Sequence, residues 1–170
     1  MRPVSSSRTG ILTGAGLAVA ALERAGVEVA FGLPGVHNLA LWRALGASPI
    51  RLVGVRHEQT AAYAADGYAR SSGRPGVALV TTGPGAANAV AATGEAWASG
   101  SPIVVIATDI PASLRRPGVY RGVLHETTDQ AAMFAPVVKA SFHGPEWIGD
   151  ALSVCTDRPV YLEIPTDKLR

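Results

Sequence analysis

Glu58 stands in the run Arg56-His57-Glu58-Gln59, just after an apolar stretch and at the opening of an alanine-rich one. A carboxylate in the first turn of a helix is favourable to the helix dipole on its own account. At the edge of a sheet it gains a second use, because a carboxyl partly withdrawn from water holds its proton more tightly and suits proton transfer. Two further titratable groups, His125 and Glu126, stand together where a long loop gives way to a more regular segment. Either would serve as a proton donor or as a solvated cap. Two glycine-rich stretches complete the set. Phe31-Gly32-Leu33-Pro34-Gly35, leading into His37 and Asn38, would let backbone approach a flat ligand, or would simply make a tight strand-to-helix turn. Thr81-Thr82-Gly83-Pro84-Gly85-Ala86-Ala87-Asn88 begins like a phosphate-binding glycine turn. However, Asn88 occupies the third glycine position of G-x-G-x-x-G, and Pro84 removes a donor.

The elements that must position these groups are legible as an alternation. Short β-rich apolar runs at Val27 to Phe31, Arg51 to Val55, Gly76 to Thr81, Ile103 to Ala107, Val137 to Ser141 and Val160 to Ile164 read as strands. Between them, residues 13–25, 38–46, 58–71, 86–98, 127–134 and 146–155 read as helices. The pattern predicts an α/β fold, a doubly wound three-layer sandwich around a six-stranded parallel sheet. Ligands in such folds gather beyond the carboxyl ends of the strands, which is where the candidate residues lie. In the helix expected over 58–71, positions 58, 62, 65 and 69 share one face, and three of the four are alanine, so that helix can pack very close to a neighbour. Residues 1–11 read as a flexible tail and 12–170 as one domain; residues 108–126 form one long irregular loop.

Composition bounds the function. The 170 residues are 48% hydrophobic and 16% charged, enough for a sizeable core and not the profile of a disordered chain. Fifteen Lys plus Arg face thirteen Asp plus Glu, and only Lys139 and Lys168 are lysines, so no phosphate-tracking nucleic-acid surface is expected. The single cysteine, Cys155, excludes an internal disulfide and a multi-cysteine zinc site, and its apolar setting makes it a small core residue. Arg2 and Arg8 ahead of the apolar run Ile11 to Leu22 could be read as a secretory signal, but Gly14 and Gly16 and the strand pattern that follows favour a first helix with Thr13 as its N-cap. No run approaches the roughly 20 apolar residues that cross a bilayer, and a cytoplasmic protein is expected. The sequence holds no G-x-S-x-G elbow and no G-x-x-x-x-G-K-[ST] loop, and His37, His57, His125 and His143 lack H-x-x-x-H spacing.

Taken together, Phe31-Gly32-Leu33-Pro34-Gly35, the run His57-Glu58-Gln59 through Tyr68-Ala69-Arg70, and Thr82-Gly83-Pro84-Gly85-Ala86-Ala87-Asn88 resemble the pyrimidine-binding domain of thiamine-diphosphate enzymes. The resemblance is to the superfamily of acetolactate synthase, benzoylformate decarboxylase and pyruvate oxidase. It spans about residues 12–168 and ends in Val160-Tyr161-Leu162-Glu163-Ile164-Pro165. It implies that Glu58 hydrogen-bonds N1′ of the cofactor's aminopyrimidine and thereby favours the tautomer whose nitrogen removes the thiazolium C2 proton. It implies that Pro34, Gly35, Pro84 and Asn88 line the pyrimidine pocket. Leu124-His125-Glu126 replaces the Phe-Gln-Glu stretch usual in acetolactate synthases, which counts against acetolactate synthesis itself and makes His125 a second catalytic candidate, for substrate protonation.

The same family holds the cofactor's diphosphate and magnesium on a second domain, through a Gly-Asp-Gly motif. The nearest match here, Gly149-Asp150-Ala151, lacks the final glycine, so no metal site is expected on these residues. The expectation is therefore a pyrimidine-binding subunit of a split 2-oxo acid decarboxylase or carboligase. A partner chain would hold diphosphate and Mg2+ in an α2β2 assembly, and the isolated chain would be free to form a homodimer through its apolar partner face. Two other classes remain open on the residues alone: a noncatalytic binding or scaffold module, and a nucleotide-binding domain using the Gly83 turn.

Overall fold

The computed structural model describes residues 13–170; the tail expected over 1–11 lies outside the described residues. The first helix, α1 (Gly14–Arg24), is capped by Thr13, whose Oγ1 accepts the Gly16 N–H at 3.1 Å. Its buried face of Ala15, Ala18, Val19 and Leu22 recurs at helical spacing and packs into the core. There follow β1 (Val29–Gly32), α2 (Leu39–Leu45), β2 (Arg51–Gly54), α3 (Glu58–Ser72), β3 (Gly76–Val80), α4 (Pro84–Ala98), β4 (Ile103–Asp109), β5 (Ala140–His143), α5 (Ile148–Val154) and β6 (Val160–Pro165). The six strands form one sheet in the order β2-β1-β3-β4-β6-β5, and every ladder is parallel. Strands β3 and β4 are buried along their whole length, as apolar runs covered on both faces must be.

Two cores separate the three layers. Residues of α1, α2 and α5 pack on one face of the sheet, and the alanines of α3 and α4 on the other. Ala61, Ala62, Ala65 and Ala69 of α3 meet Ala86, Ala89, Ala92 and Ala96 of α4, small side chains that bring the two helix axes close. Because α2 leaves β1 on one face while α4 leaves β3 on the other, the loops after these adjacent strands diverge. They leave from the carboxyl edge of the sheet, the position where doubly wound folds bind ligands.

Three expected elements differ. The helix expected over 127–134 is absent, and the segment instead makes two short 3₁₀ turns, Ala131–Met133 and Ala135–Val137. Gln130 and Phe134 turn fully inward, Phe134 stacking on Tyr161 at 4.2 Å, and Pro136 cannot continue a helix. The strand expected from Val137 starts only at Ala140, where pairing with Val160 of β6 begins. The last helix is led by a 3₁₀ turn, Pro145–Trp147, leaving seven residues of α5. Cys155 is buried, and burial pushes its thiol up to about 12. No helix among the described residues is long and apolar enough to cross a membrane.

Candidate active site

The candidate site is built from two glycine-bearing turns and the start of α3. After β1 the chain turns through Pro34 and Gly35, and buried Asn38 closes that turn. Its Oδ1 accepts the Gly35 N–H at 2.8 Å while its Nδ2 donates to the Leu33 carbonyl at 3.0 Å. Gly35 lies against Thr81 at the end of β3, so close that a Cβ there would sit 2.6 Å from Thr81 Oγ1. From the other side comes Gly85 in the first turn of α4, where a Cβ would lie 2.6 Å from Thr81 Cγ2 and 3.2 Å from Glu58 Oε1. Real side chains do not tolerate the 2.6 Å approaches, so both positions require glycine. Thr81 Oγ1, held between them, is buried and has no hydrogen-bond partner among the described residues.

Glu58 is the first residue of α3, after the N-cap His57, whose Nδ1 accepts the Gln59 N–H at 3.1 Å. The Glu58 side chain is buried, and its Oε2 accepts a hydrogen bond from Asn88 Nδ2 at 2.9 Å. Asn88 is on α4, one turn beyond Pro84, which occupies the first helical position as an N1 proline should. The close alanine packing of α3 on α4 is what brings a glutamate and an asparagine 30 residues apart within hydrogen-bond reach. Glu58 Oε1 makes no hydrogen bond with the described residues.

His125 joins this group through Gly83. It is the one non-glycine among the described residues with positive φ, at 64°. Its carbonyl presses on the Gly83 turn, where a Cβ would meet His125 O at 2.5 Å. Its ring also meets His37 edge-on at 5.7 Å. Burial, together with the neighbouring His125, pulls the His37 pKa below the ordinary histidine value against an opposing pull from Asp109. Behind this pair, Arg115 grips Asp109 with Nε at 3.0 Å and Nη2 at 2.7 Å, and its Nη1 donates to the Thr127 carbonyl at 3.3 Å, which anchors the long loop to the end of β4.

The structure thus brings Glu58, Asn88, Gly35 and Gly85 together around Thr81, with Pro34 and Pro84 on the exposed rim. Sequence reading did not single out Thr81, or the part played by Asn38, His37 and Gln130. An asparagine three residues after Gly35 is a signal for a side-chain-closed turn, whereas nothing local marks Thr81 or Gln130.

The family model of the thiamine pyrophosphate enzyme N-terminal TPP binding domain matches residues 12–133. A probable 2-ketoarginine decarboxylase of Pseudomonas aeruginosa is 45% identical, the match covering 98% of this chain and 31% of that protein. A probable acetolactate synthase large subunit of Methanococcus aeolicus is 36% identical over 92% of this chain and 27% of its own. An acetolactate synthase of Arthrospira platensis is also 36% identical, over 92% and 28%. The chain spans less than a third of the length of these relatives. With the match running through all the candidate site residues from Pro34 to His125, the chain belongs to the thiamine pyrophosphate enzyme family, as its N-terminal TPP binding domain.

Proposed function

We propose that this chain supplies the pyrimidine half of a thiamine-diphosphate-dependent enzyme that decarboxylates a 2-oxo acid or joins it to an acyl acceptor. The observation that carries the reading is the buried Glu58 carboxylate, with one oxygen held by Asn88 and the other turned toward Gly85. An aminopyrimidine fits this set. Its ring nitrogen and amino group are the groups that can meet the Glu58 oxygen left free by Asn88, beside the two glycine turns that close on Thr81.

When bound, thiamine diphosphate supplies a nucleophilic carbon and an electron sink for bond breaking beside a carbonyl. The protein's share is positional and protonic. Glu58 holds a proton in a hydrogen bond to the ring, and Asn88 fixes the carboxylate so that the free oxygen presents itself to the ligand. The alanine packing of α3 on α4 keeps water from the back of the carboxyl. Pro34, Gly35 and Pro84 shape the pocket wall. His125, at the mouth beside His37, holds a proton for the substrate side of the reaction.

Diphosphate and Mg2+ are assigned to a second protein domain outside these residues. In one arrangement that domain is a separate chain in an α2β2 assembly. The relatives, in which the matched region is less than a third of one polypeptide, support a second arrangement in which both domains share a chain. Purification of the tagged protein from its native cells distinguishes the two. Either a second polypeptide co-purifies or a single longer one is recovered. In both cases the preparation is expected to release carbon dioxide from a 2-oxo acid only when thiamine diphosphate and Mg2+ are present. The name of the Pseudomonas aeruginosa relative makes 2-ketoarginine the first substrate to try. Cofactor-independent activity, or none on any 2-oxo acid, contradicts the reading.

A further inference from the structure

Resting on the pyrimidine-site reading above, we infer that Gln130 is a positioning residue for that site: a buried clamp that holds the Gly83 turn, and with it the start of α4, against the ends of β4 and β6. Gly83 is the N-cap of α4, at φ 62° and ψ −108°. Its carbonyl accepts the Ala87 N–H at 2.9 Å, while its own N–H is received by Gln130 Oε1 at 2.5 Å. The next residue, Pro84, has no N–H to offer. The Gln130 hydrogen bond is therefore the tether of this turn, and the turn leads directly into Gly85 and Asn88.

The other end of the amide is equally constrained. Gln130 Nε2 faces the Thr108 carbonyl at 2.9 Å, the Tyr161 hydroxyl at 2.8 Å and Glu163 Oε2 at 3.1 Å, and the Tyr161 hydroxyl donates to Glu163 Oε2 at 3.0 Å. Gln130 is 1% exposed. An amide nitrogen among acceptors and an amide oxygen on a donor fix the orientation, since a flip would set oxygen against oxygen and N–H against N–H. Glutamine is the neutral side chain of this length that offers both an acceptor and two donors. A carboxylate in its place would meet Glu163, with Asp109 behind it, and lose its donors. Burial and Asp109 already raise the Glu163 pKa, His143 Nδ1 at 3.3 Å and the Tyr161 hydroxyl opposing them.

The clamp also reaches the long loop. Gln130 closes the segment that carries His125, and His125 abuts the same Gly83. Loop and turn are thus fastened to one buried side chain, so loosening it moves both walls of the site.

The test compares the Gly83 amide exchange rate, read by NMR on the full chain, with thiamine diphosphate affinity in the enzyme assembled with its diphosphate-binding domain. Gln130→Met, similar in volume, is expected to speed Gly83 exchange and weaken the cofactor, each about tenfold, the worth of one buried hydrogen bond. Strands β3 and β4 should keep their protection. If that variant does not fold, Gln130→Glu replaces it. Protonated, its carboxyl keeps one acceptor and one donor, so Gly83 protection should persist at low pH and be lost as pH rises, whereas the wild type shows no such loss. An unchanged Gly83 exchange rate in Gln130→Met, or pH-independent protection in Gln130→Glu, overturns the clamp. So does faster Gly83 exchange with unaltered cofactor affinity. Glu58→Gln separates the two claims: if it leaves cofactor-dependent activity intact, the pyrimidine-site reading fails, while the Gly83 exchange result still stands.

Discussion

Asn88 Nδ2 donates to Glu58 Oε2 at 2.9 Å, a hydrogen bond from the second turn of α4 to the first residue of α3. It fixes one carboxylate oxygen and leaves the other for a ligand. A bond from a neutral donor to a buried carboxylate contributes about 1.5–3 kcal/mol. Asn88→Ala should therefore lower turnover by about tenfold or more while leaving the fold intact, as read by steady-state kinetics beside a thermal melt. Wild-type kinetics in that variant would remove Asn88 from the site.

Thr81 lies between two glycines that tolerate no Cβ. Gly85→Ala is expected to destabilise the domain by about 1–3 kcal/mol through overpacking. The main clash is with Thr81 Cγ2, so adding Thr81→Ser should recover much of the loss. Gly35→Ala clashes instead with Thr81 Oγ1 and Cβ, and Thr81→Ser should not rescue it. Thermal melts of the two double variants check this difference.

Glu163 should make stability fall as pH rises. Burial, then Asp109, raises its pKa above the ordinary glutamate value, so the folded protein keeps that proton to higher pH than the unfolded chain does. The contribution is fully present below the unfolded value and is lost as pH climbs through the raised one. Subtracting the Tm-versus-pH curve of Glu163→Gln from that of the wild type isolates the effect, and the difference should decline with pH from about 4.5 upward. A flat difference contradicts it.

Cys155, with its thiol pushed up to about 12, should resist thiol reagents in the native state. The thiolate fraction at neutral pH is about a thousandfold below that of a free cysteine. Reaction with a disulfide reagent should await unfolding by urea, and rapid native labelling would show that the α5 end opens.

How far the sequence revealed this site depends on how local each feature is. The alternation of apolar strands with alanine-rich helices carried the layer order, and Thr13 and Glu58 fall where their chemistry predicts, because caps and first-turn carboxylates are local devices. Residues 127–134 misled because their helical look competes with two inward anchors, Gln130 and Phe134, whose partners lie on α4's turn and on β6. Thr81 was invisible for the same reason: its importance comes from two glycines 46 and 4 residues away meeting it in space.

The central claim is that Glu58 activates the bound cofactor, and exchange of the thiazolium C2 proton with deuterated solvent measures that step without turnover. In the assembled enzyme, Glu58→Gln should slow this exchange by about a hundredfold or more, the scale of one positioned proton-transfer group, with thiamine diphosphate still bound. Exchange at the wild-type rate in Glu58→Gln, with cofactor bound, would contradict the account.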